Sequence, residues 1–331
     1  MQMLLKTFND YLISPQYSDI ASRDEIDLSS KLGDRSLSLP VMSSPMTTVT
    51  EDEMALAMNK KGGYGVIHRY NTIEERISLS SRSRSSCVAI GCNEINDLDK
   101  FVEMGITDFC LDVAHGHTKV VGDALKEIRR RYGYGKVYVI AGNVATKDGY
   151  EFLIDAGANA VRVGIGGGSI CTTRIQTGHG IPTLASVFDC ASSTYEMPII
   201  ADGGIKTTGD MVKCLAGGAN FVMLGSYLAG TDEAPGKVHT DEHGNKYKKY
   251  VGMASKEAQS QWRGTVRSVE GVSHQVGYKG SVDDILDEIA INIRSGLSYS
   301  GARTIRELQF KAKWVEISNQ AYAESQAHIF Y

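Results

Sequence analysis

Short runs of β-branched and apolar residues recur along this chain, and most are followed by a stretch with helical apolar spacing. Eight such runs stand out: Leu39–Pro45, Tyr64–His68, Cys87–Gly91, Asp108–Val113, Val137–Ala141, Val161–Gly164, Ile199–Asp202 and Phe221–Gly225. Their starts are mostly 20 to 30 residues apart, with a longer gap after the sixth. Helical patterns fall between them at Glu51–Lys61, Ile73–Arg82, Leu98–Glu103, Lys119–Arg131 and Asp148–Ala156. A strand that is apolar throughout expects cover on both faces, as in a parallel sheet built from βα units. Eight such units fit an α/β fold closed as a (β/α)8 TIM barrel. The alternative is an open doubly wound sheet. It would normally carry a dinucleotide fingerprint after its first strand, where this chain reads Ser44-Pro45-Met46.

The pattern breaks over residues 231–280, which are charged, glycine-containing and poor in core residues. His239–Tyr250 predicts a hairpin around His243-Gly244-Asn245, and residues 251–275 a mobile flap. Ser281–Ile293 returns to an apolar helical pattern, and the tail 302–331 reads as partly helical. The expectation is one barrel domain over 1–331, with the hairpin and flap of 231–280 inserted after the eighth strand.

Composition changes this picture little. The chain has 331 residues, 42% hydrophobic and 22% charged, with a formal net charge of -4. That balance argues against nucleic acid or an anionic membrane as the main partner. No apolar run reaches spanning length, and the amino terminus shows no basic-then-apolar signal pattern. The six cysteines are scattered without CxxC pairs, which suits core thiols in a reducing cytoplasm. No His/Cys spacing suggests zinc, and His115 and His117 lack an acidic partner at metal spacing.

Candidate chemistry gathers at the carboxyl ends of the predicted strands. His68 with Arg69, Asp112 with His115 and His117, Asn143, Ser169 with Cys171, Asp202-Gly203-Gly204 and Gly225-Ser226 all fall there. In a barrel those ends form one catalytic face. After Val161-Arg162-Val163 comes Gly164-Ile165-Gly166-Gly167-Gly168-Ser169-Ile170-Cys171-Thr172-Thr173. Its glycines let backbone N–H groups approach an anion, and a thiol beyond such a cradle can be aimed at a phosphorylated ligand. A glycine-rich turn followed by a small buried cysteine is the plainer alternative. For Asp202, the plainer alternative is a helix cap before Thr207 or Thr208.

The motifs Leu111-Asp112-Val113-Ala114-His115-Gly116-His117, Ala141-Gly142-Asn143-Val144, Gly168-Ser169-Ile170-Cys171-Thr172-Thr173-Arg174, Ile200-Ala201-Asp202-Gly203-Gly204 and Met223-Leu224-Gly225-Ser226 resemble the IMP dehydrogenase and GMP reductase family over nearly the whole chain. The regulatory domain that most IMP dehydrogenases insert after the second barrel helix is absent between Ile73 and Cys87. The resemblance implies a purine nucleoside monophosphate substrate and attack by Cys171 on purine C2. It implies that Asp202 holds the ribose diol and that Ser169, Gly204, Gly225 and Ser226 bind phosphate. Gly203, Tyr250, Gly252, Met253, Ala254 and Arg267 complete the implied nucleotide site. Arg69, Asp112, Ala114, His115, Asn143, Arg174 and Ser295 form the implied cofactor side, Ser295 across a subunit boundary. A closing salt bridge in the Cys171 loop is the alternative for Arg174. A homotetramer is implied, and for dehydrogenases a monovalent cation such as K+ near the carbonyls of Gly166, Gly168 and Cys171.

Two reactions share this scaffold. In the family's dehydrogenases an Arg-Tyr pair in the flap activates water to hydrolyse the enzyme-bound purine. The flap here, Gly252 to Gly271, contains no Arg-Tyr pair and is short. Glu270, three residues after Arg267, resembles the reductase arrangement, in which the Glu pairs with Thr173 and relays a proton to departing ammonia. The expected activity is therefore NADPH-dependent reduction of GMP to IMP. A short IMP dehydrogenase and a non-catalytic nucleotide sensor are the alternatives. Departures from the family pattern are Gly167 for proline, Thr47 for aspartate, Arg69 for lysine and the stretch Gly178-His179-Gly180.

Overall fold

Eight parallel strands close into a barrel in sequence order: β1 (Val41–Ser43), β2 (Tyr64–Ile67), β3 (Cys87–Ile90), β4 (Asp108–Asp112), β5 (Tyr138–Val144), β6 (Ala160–Val163), β7 (Ile199–Asp202) and β8 (Phe221–Leu224). The computed structural model describes residues 5–83, 87–266 and 268–325. Closure is made by β8 on β1, with Val222 opposite Val41 and Leu224 opposite Ser43. The fold is the expected (β/α)8 barrel. The fifth strand differs from expectation, starting at Tyr138 and running on to Val144.

Strand alternation decides what faces inward. On β4, Phe109 and Leu111 pack toward the helices, while Cys110 joins the barrel interior. On β6, Val161 and Val163 pack outward, which turns Arg162 inward. The interior is filled by Met42, Val66, Ala89, Ile140, Ala160, Ile200, Phe221 and Met223, so it is a packed core and not a pore. The amino-terminal end is stoppered by a hairpin, Ser30–Leu32 paired with Arg35–Leu37. Leu32 is fully buried there. The Arg35 guanidinium lies 5.4 and 5.3 Å from the ring centres of Tyr64 and Tyr138 and pairs with Asp108.

The outer helices carry local start signals. Thr146 accepts a hydrogen bond from the N–H of Gly149 to cap Lys147–Asp155. Thr207 and Asp210 form a reciprocal capping box on Thr208–Ala216. That box takes the capping role weighed for Asp202 and leaves Asp202 at the barrel mouth. The long gap after β6 holds two helices, Thr173–Thr177 and Thr183–Ala191.

The insertion after β8 is more ordered than its composition suggests. His239–Thr240 and Lys246–Val251 form the expected hairpin, and Ser273–Gly277 adds a third antiparallel strand. Lys248 is buried, and its Nζ donates to the carbonyls of Thr231, Asp232 and Ala234 at 2.7, 3.2 and 2.6 Å. The flap contains a helix, Lys256–Arg263, started by the Ser255 hydroxyl. In the tail, Trp314–Glu316 pairs antiparallel with Tyr11–Ile13.

Candidate functional site

A cavity of about 460 Å3 opens at the carboxyl ends of the strands. The Cys171 loop forms one wall. Gly164 and Gly166 take φ of 142° and 80°, which L side chains avoid, and the chain turns back beneath the cavity. The N–H of Cys171 donates to the carbonyl of Gly168 at 3.1 Å, one of the carbonyls expected to hold a monovalent cation. Cys171 Sγ lies 3.1 Å from Thr173 Oγ1.

The flap meets this loop directly. Thr172 N–H donates to the carbonyl of Glu270 at 2.8 Å and Val272 N–H to that of Ile170 at 3.0 Å, with Cys171 and Gly271 bridged between them. The Glu270 carboxylate accepts from Ser268 Oγ at 3.2 Å. Thr173 is thus hydrogen-bonded to the thiol, while Glu270 is held by Ser268. Buried Gln259 spans the flap, its Nε2 donating to the carbonyls of Ala254 and Ser268 at 3.0 and 2.9 Å.

Beneath the cavity runs a chain of charge. Arg162 donates to Asp112 Oδ1 at 2.6 Å and to Asp202 Oδ2 at 2.9 Å. Burial disfavours its charge, yet the flanking Cys110, Asp202 and Asp112 hold its pKa above the usual arginine value. Asn143 Nδ2 donates to the same Asp202 oxygen and to the Gly164 carbonyl, both at 2.8 Å. Asp202 Oδ2 is therefore fixed by two donors. Arg69 continues the chain, with Nε 3.5 Å from Asp112 Oδ2 and its guanidinium 5.1 Å from the Tyr70 ring centre. That Nε is buried without a hydrogen-bond partner.

The opposite end of the cavity offers neutral donors. Gly203 and Gly204 have φ of 91° and 76°, and Ser169, Gly225, Ser226 and Tyr250 line the wall beside them. A Cβ on Gly225 would lie 2.7 Å from Tyr250 Oη, so only glycine lets the strand end and the tyrosine approach this closely. Burial pushes the Tyr250 pKa up to about 12, with the Ser169 and Ser226 hydrogen bonds opposing. The phenol is thus a proton donor at neutral pH.

Of the residues singled out in the sequence, the cavity gathers Cys171, Thr173, Glu270, Ser169, Asp202, Gly203, Gly204, Gly225, Ser226, Tyr250, Gly252, Met253, Ala254, Arg69, Asp112, Ala114, Asn143, Gly166 and Gly168. Five are not brought there: His68, whose Nε2 lies 3.1 Å from Glu51 Oε1, His117, whose ring centre lies 4.9 Å from that of Phe152, and the three that follow. His115 is exposed, its ring 6.5 Å from that of His117. Arg174 donates to the Ile181 carbonyl at 2.9 Å, with its stem packed over Gly166 and Gly180. It closes the Cys171 loop through a carbonyl, not a salt bridge. Ser295 sits on the outer helix Val282–Tyr299. Arg267 lies outside the described residues. The cavity adds residues the sequence reading did not mark as functional, notably Arg162, Tyr70, Gln259 and Ser268. Among the described residues, no group of three or more His, Cys, Asp and Glu is placed to hold a metal, and no helix is long and apolar enough to cross a membrane.

Comparison with known proteins agrees with this geometry. The family model for the IMP dehydrogenase / GMP reductase domain matches residues 5–328. Inosine-5'-monophosphate dehydrogenase of Nitrosopumilus maritimus is 33% identical, covering 97% of this chain and 98% of the relative. That of Cryptosporidium parvum is 35% identical, covering 97% and 94%. The first alignment spans 467 positions against 331 residues here, so that relative carries sequence this chain lacks. A solved structure of a GMP reductase variant from Trypanosoma brucei, in complex with guanosine 5'-monophosphate, superposes with a TM-score of 0.93 at 27% identity, covering 100% of this chain and 99% of that one.

Proposed function

This chain belongs to the IMP dehydrogenase / GMP reductase family, and on that premise we propose that it reduces GMP to IMP and ammonia at the expense of NADPH. The observation that carries this reading is the flap. It has no Arg-Tyr pair between Gly252 and Gly271 to activate water, and it pairs Glu270 with the loop bearing Cys171. The likeness to a reductase structure with GMP bound supports the same reading.

The proposed chemistry follows from the placements. The phosphate rests on the neutral donors of Ser169, Gly204, Gly225, Ser226 and Tyr250, and the ribose hydroxyls on the Asp202 oxygen that Arg162 and Asn143 leave free. The Cys171 thiolate adds to C2 of the guanine, forming a carbon–sulfur bond. Thr173, 3.1 Å from the sulfur, and Glu270 deliver a proton to the 2-amino group. The amine leaves as ammonia and the purine remains as a thioimidate on Cys171. An amine leaves poorly until protonated, so this positioned acid is what the step requires.

The cavity's other end fits a nicotinamide cofactor. Arg69 keeps an unsatisfied buried Nε there, and Asp112, Ala114 and Asn143 flank it. A nicotinamide cofactor held there by Arg69, Asp112, Ala114 and Asn143 would supply the hydride that reduces C2, with Cys171 leaving as its thiolate to give IMP. Arg69 and Asp112 orient that half of the cavity, and the flap excludes water that would otherwise hydrolyse the thioimidate.

The names of the curated relatives favour a second reading, oxidation of IMP to XMP with NAD. One assay separates the two. Absorbance at the nicotinamide band is followed with GMP plus NADPH and, separately, with IMP plus NAD. Consumption of NADPH with release of ammonia is expected. Robust NADH formation from IMP with accumulation of XMP would overturn the proposal.

A further inference from the structure

The wall assigned to the phosphate has a charge deficit. Ser169, Gly204, Gly225, Ser226 and Tyr250 offer only neutral donors, whereas a phosphate monoester carries about two negative charges at neutral pH. The two arginines that line the described cavity, Arg69 and Arg162, are matched to Asp112 and Asp202. A third cation stands just behind that wall. Lys279 Nζ donates to the carbonyls of Ser226 and Tyr227 at 2.6 and 2.8 Å. It has no carboxylate partner among the described residues.

We propose that Lys279 sets the preference for a nucleoside monophosphate over a nucleoside, by fixing the loop that receives the phosphate and supplying the positive charge behind it. This rests on the reading of the site given above. A carbonyl and the following N–H share one rigid peptide plane. Anchoring the carbonyls of Ser226 and Tyr227 therefore fixes the two peptide planes that follow Ser226 and, with them, the backbone that carries the Ser226 hydroxyl. The first turn after β8 is tied down further by Leu228 and Ala229 N–H groups donating to the Gly225 carbonyl at 3.1 and 2.9 Å.

The lysine is itself held in place. Its N–H donates to the Gly230 carbonyl at 3.0 Å, and Asp232 N–H donates to the Gly280 carbonyl at 2.8 Å. Tyr278 Oη donates to Asp232 Oδ1 at 2.7 Å. The segment that leaves the third strand of the insertion is thus clamped on both sides of Lys279, and the side chain reaches back 53 residues along the chain to Ser226 in the phosphate wall. Carbonyls satisfy the ammonium's donors without cancelling its charge, and that charge stays available to an anion across the loop.

Lys279 acts through the loop, so it is a positioning residue. The test compares binding of GMP and of guanosine by titration calorimetry in wild type, Lys279→Met and Lys279→Arg. Lys279→Met keeps the stem and removes charge and donors. It is expected to weaken GMP by about tenfold, the effect of roughly one charge-assisted contact, and to leave guanosine unchanged. Lys279→Arg is expected to retain most of the GMP affinity. Rising ionic strength should weaken GMP more steeply in the wild type than in a second charge-removing variant, Lys279→Gln, and leave guanosine unchanged in both, which tests the charge even where Lys279→Met fails to fold. Equal losses for GMP and guanosine, no loss for either, or matching salt dependence of GMP in wild type and Lys279→Gln would overturn the proposal. A wild type that binds no GMP would overturn the reading of the site and the proposal with it. Failure of the lysine's role alone leaves wild-type GMP binding intact.

Discussion

Replacing Arg162 by methionine tests the charge chain under the cavity. The guanidinium side chain is 7% exposed, and it bridges Asp112 and Asp202, each 16% exposed. Removing it leaves two carboxylates near the interior. Asp112 retains Arg69 at 3.5 Å, whereas Asp202 retains only the neutral Asn143 amide. Breaking a buried pair from one side costs about 3–5 kcal/mol, and the lower end applies because the carboxylates are not sealed from solvent. Unfolding entropy of about 2.1 cal/mol/K per residue, over 331 residues, is roughly 0.7 kcal/mol/K. A loss of about 3 kcal/mol then lowers Tm by about 4 °C, as read by calorimetry. Asp202 also loses the anchor that orients it, so GMP affinity should fall by about tenfold or more. Adding Asp112→Asn to Arg162→Met should cost less than the two single changes summed, because one unpaired carboxylate has gone. A Tm within about 1 °C of wild type, with unchanged GMP affinity, would refute the reasoning, since an error of that size exceeds the spread of buried-pair measurements.

Three further outcomes follow from the geometry. Cys171→Ala should abolish turnover while GMP still binds by calorimetry, because the phosphate and ribose contacts lie on other residues; substantial residual activity would remove the covalent step. Thr173→Ala and Glu270→Gln should each slow ammonia release from GMP by about two orders of magnitude or more, and the double variant should be little worse than either single in single-turnover kinetics. Near-wild-type GMP turnover in Glu270→Gln would reduce Glu270 to a partner of Ser268. Tyr250 has a native pKa of about 12, raised chiefly by burial, against an ordinary value of about 10. The native state holds that proton more tightly, so its contribution is present below about pH 10 and is lost as pH rises through 12. Tyr250→Phe should therefore flatten the alkaline fall in urea midpoint over that window, and an unchanged slope would count against the burial of the phenol.

The barrel strands were legible because strands covered on both faces read as unbroken apolar runs, and their spacing set the order of units. Arg162 was not recognised as part of the site, because Val161-Arg162-Val163 reads as a buried strand and nothing local says which way it faces. Its role needs the inward registers of three strands at once, placing Asp112, Arg162 and Asp202 side by side. A charged residue inside an apolar strand, immediately before a glycine loop, is the signal that was available. The flap helix was missed for a different reason. Lys256–Arg263 has few apolar residues and leans on the Ser255 cap and on Gln259, whose bonds to Ala254 and Ser268 are tertiary. Thr183–Ala191 was more accessible, since Leu184, Val187 and Cys190 recur every third residue and are buried. Arg174 illustrates the opposite limit. A guanidinium three residues beyond Cys171 suits a phosphate, yet glycines at 166 and 180 let its stem lie flat across the loop.

The backbone bonds joining Ile170 and Thr172 to Val272 and Glu270 bear on timing as well as geometry. The strip that carries Cys171 and the strip that carries Glu270 are stitched across Cys171 and Gly271. Breaking those bonds would free the Cys171 loop and the flap together, so on the proposed reading loss of flap order and loss of alignment at the thiol are a single event.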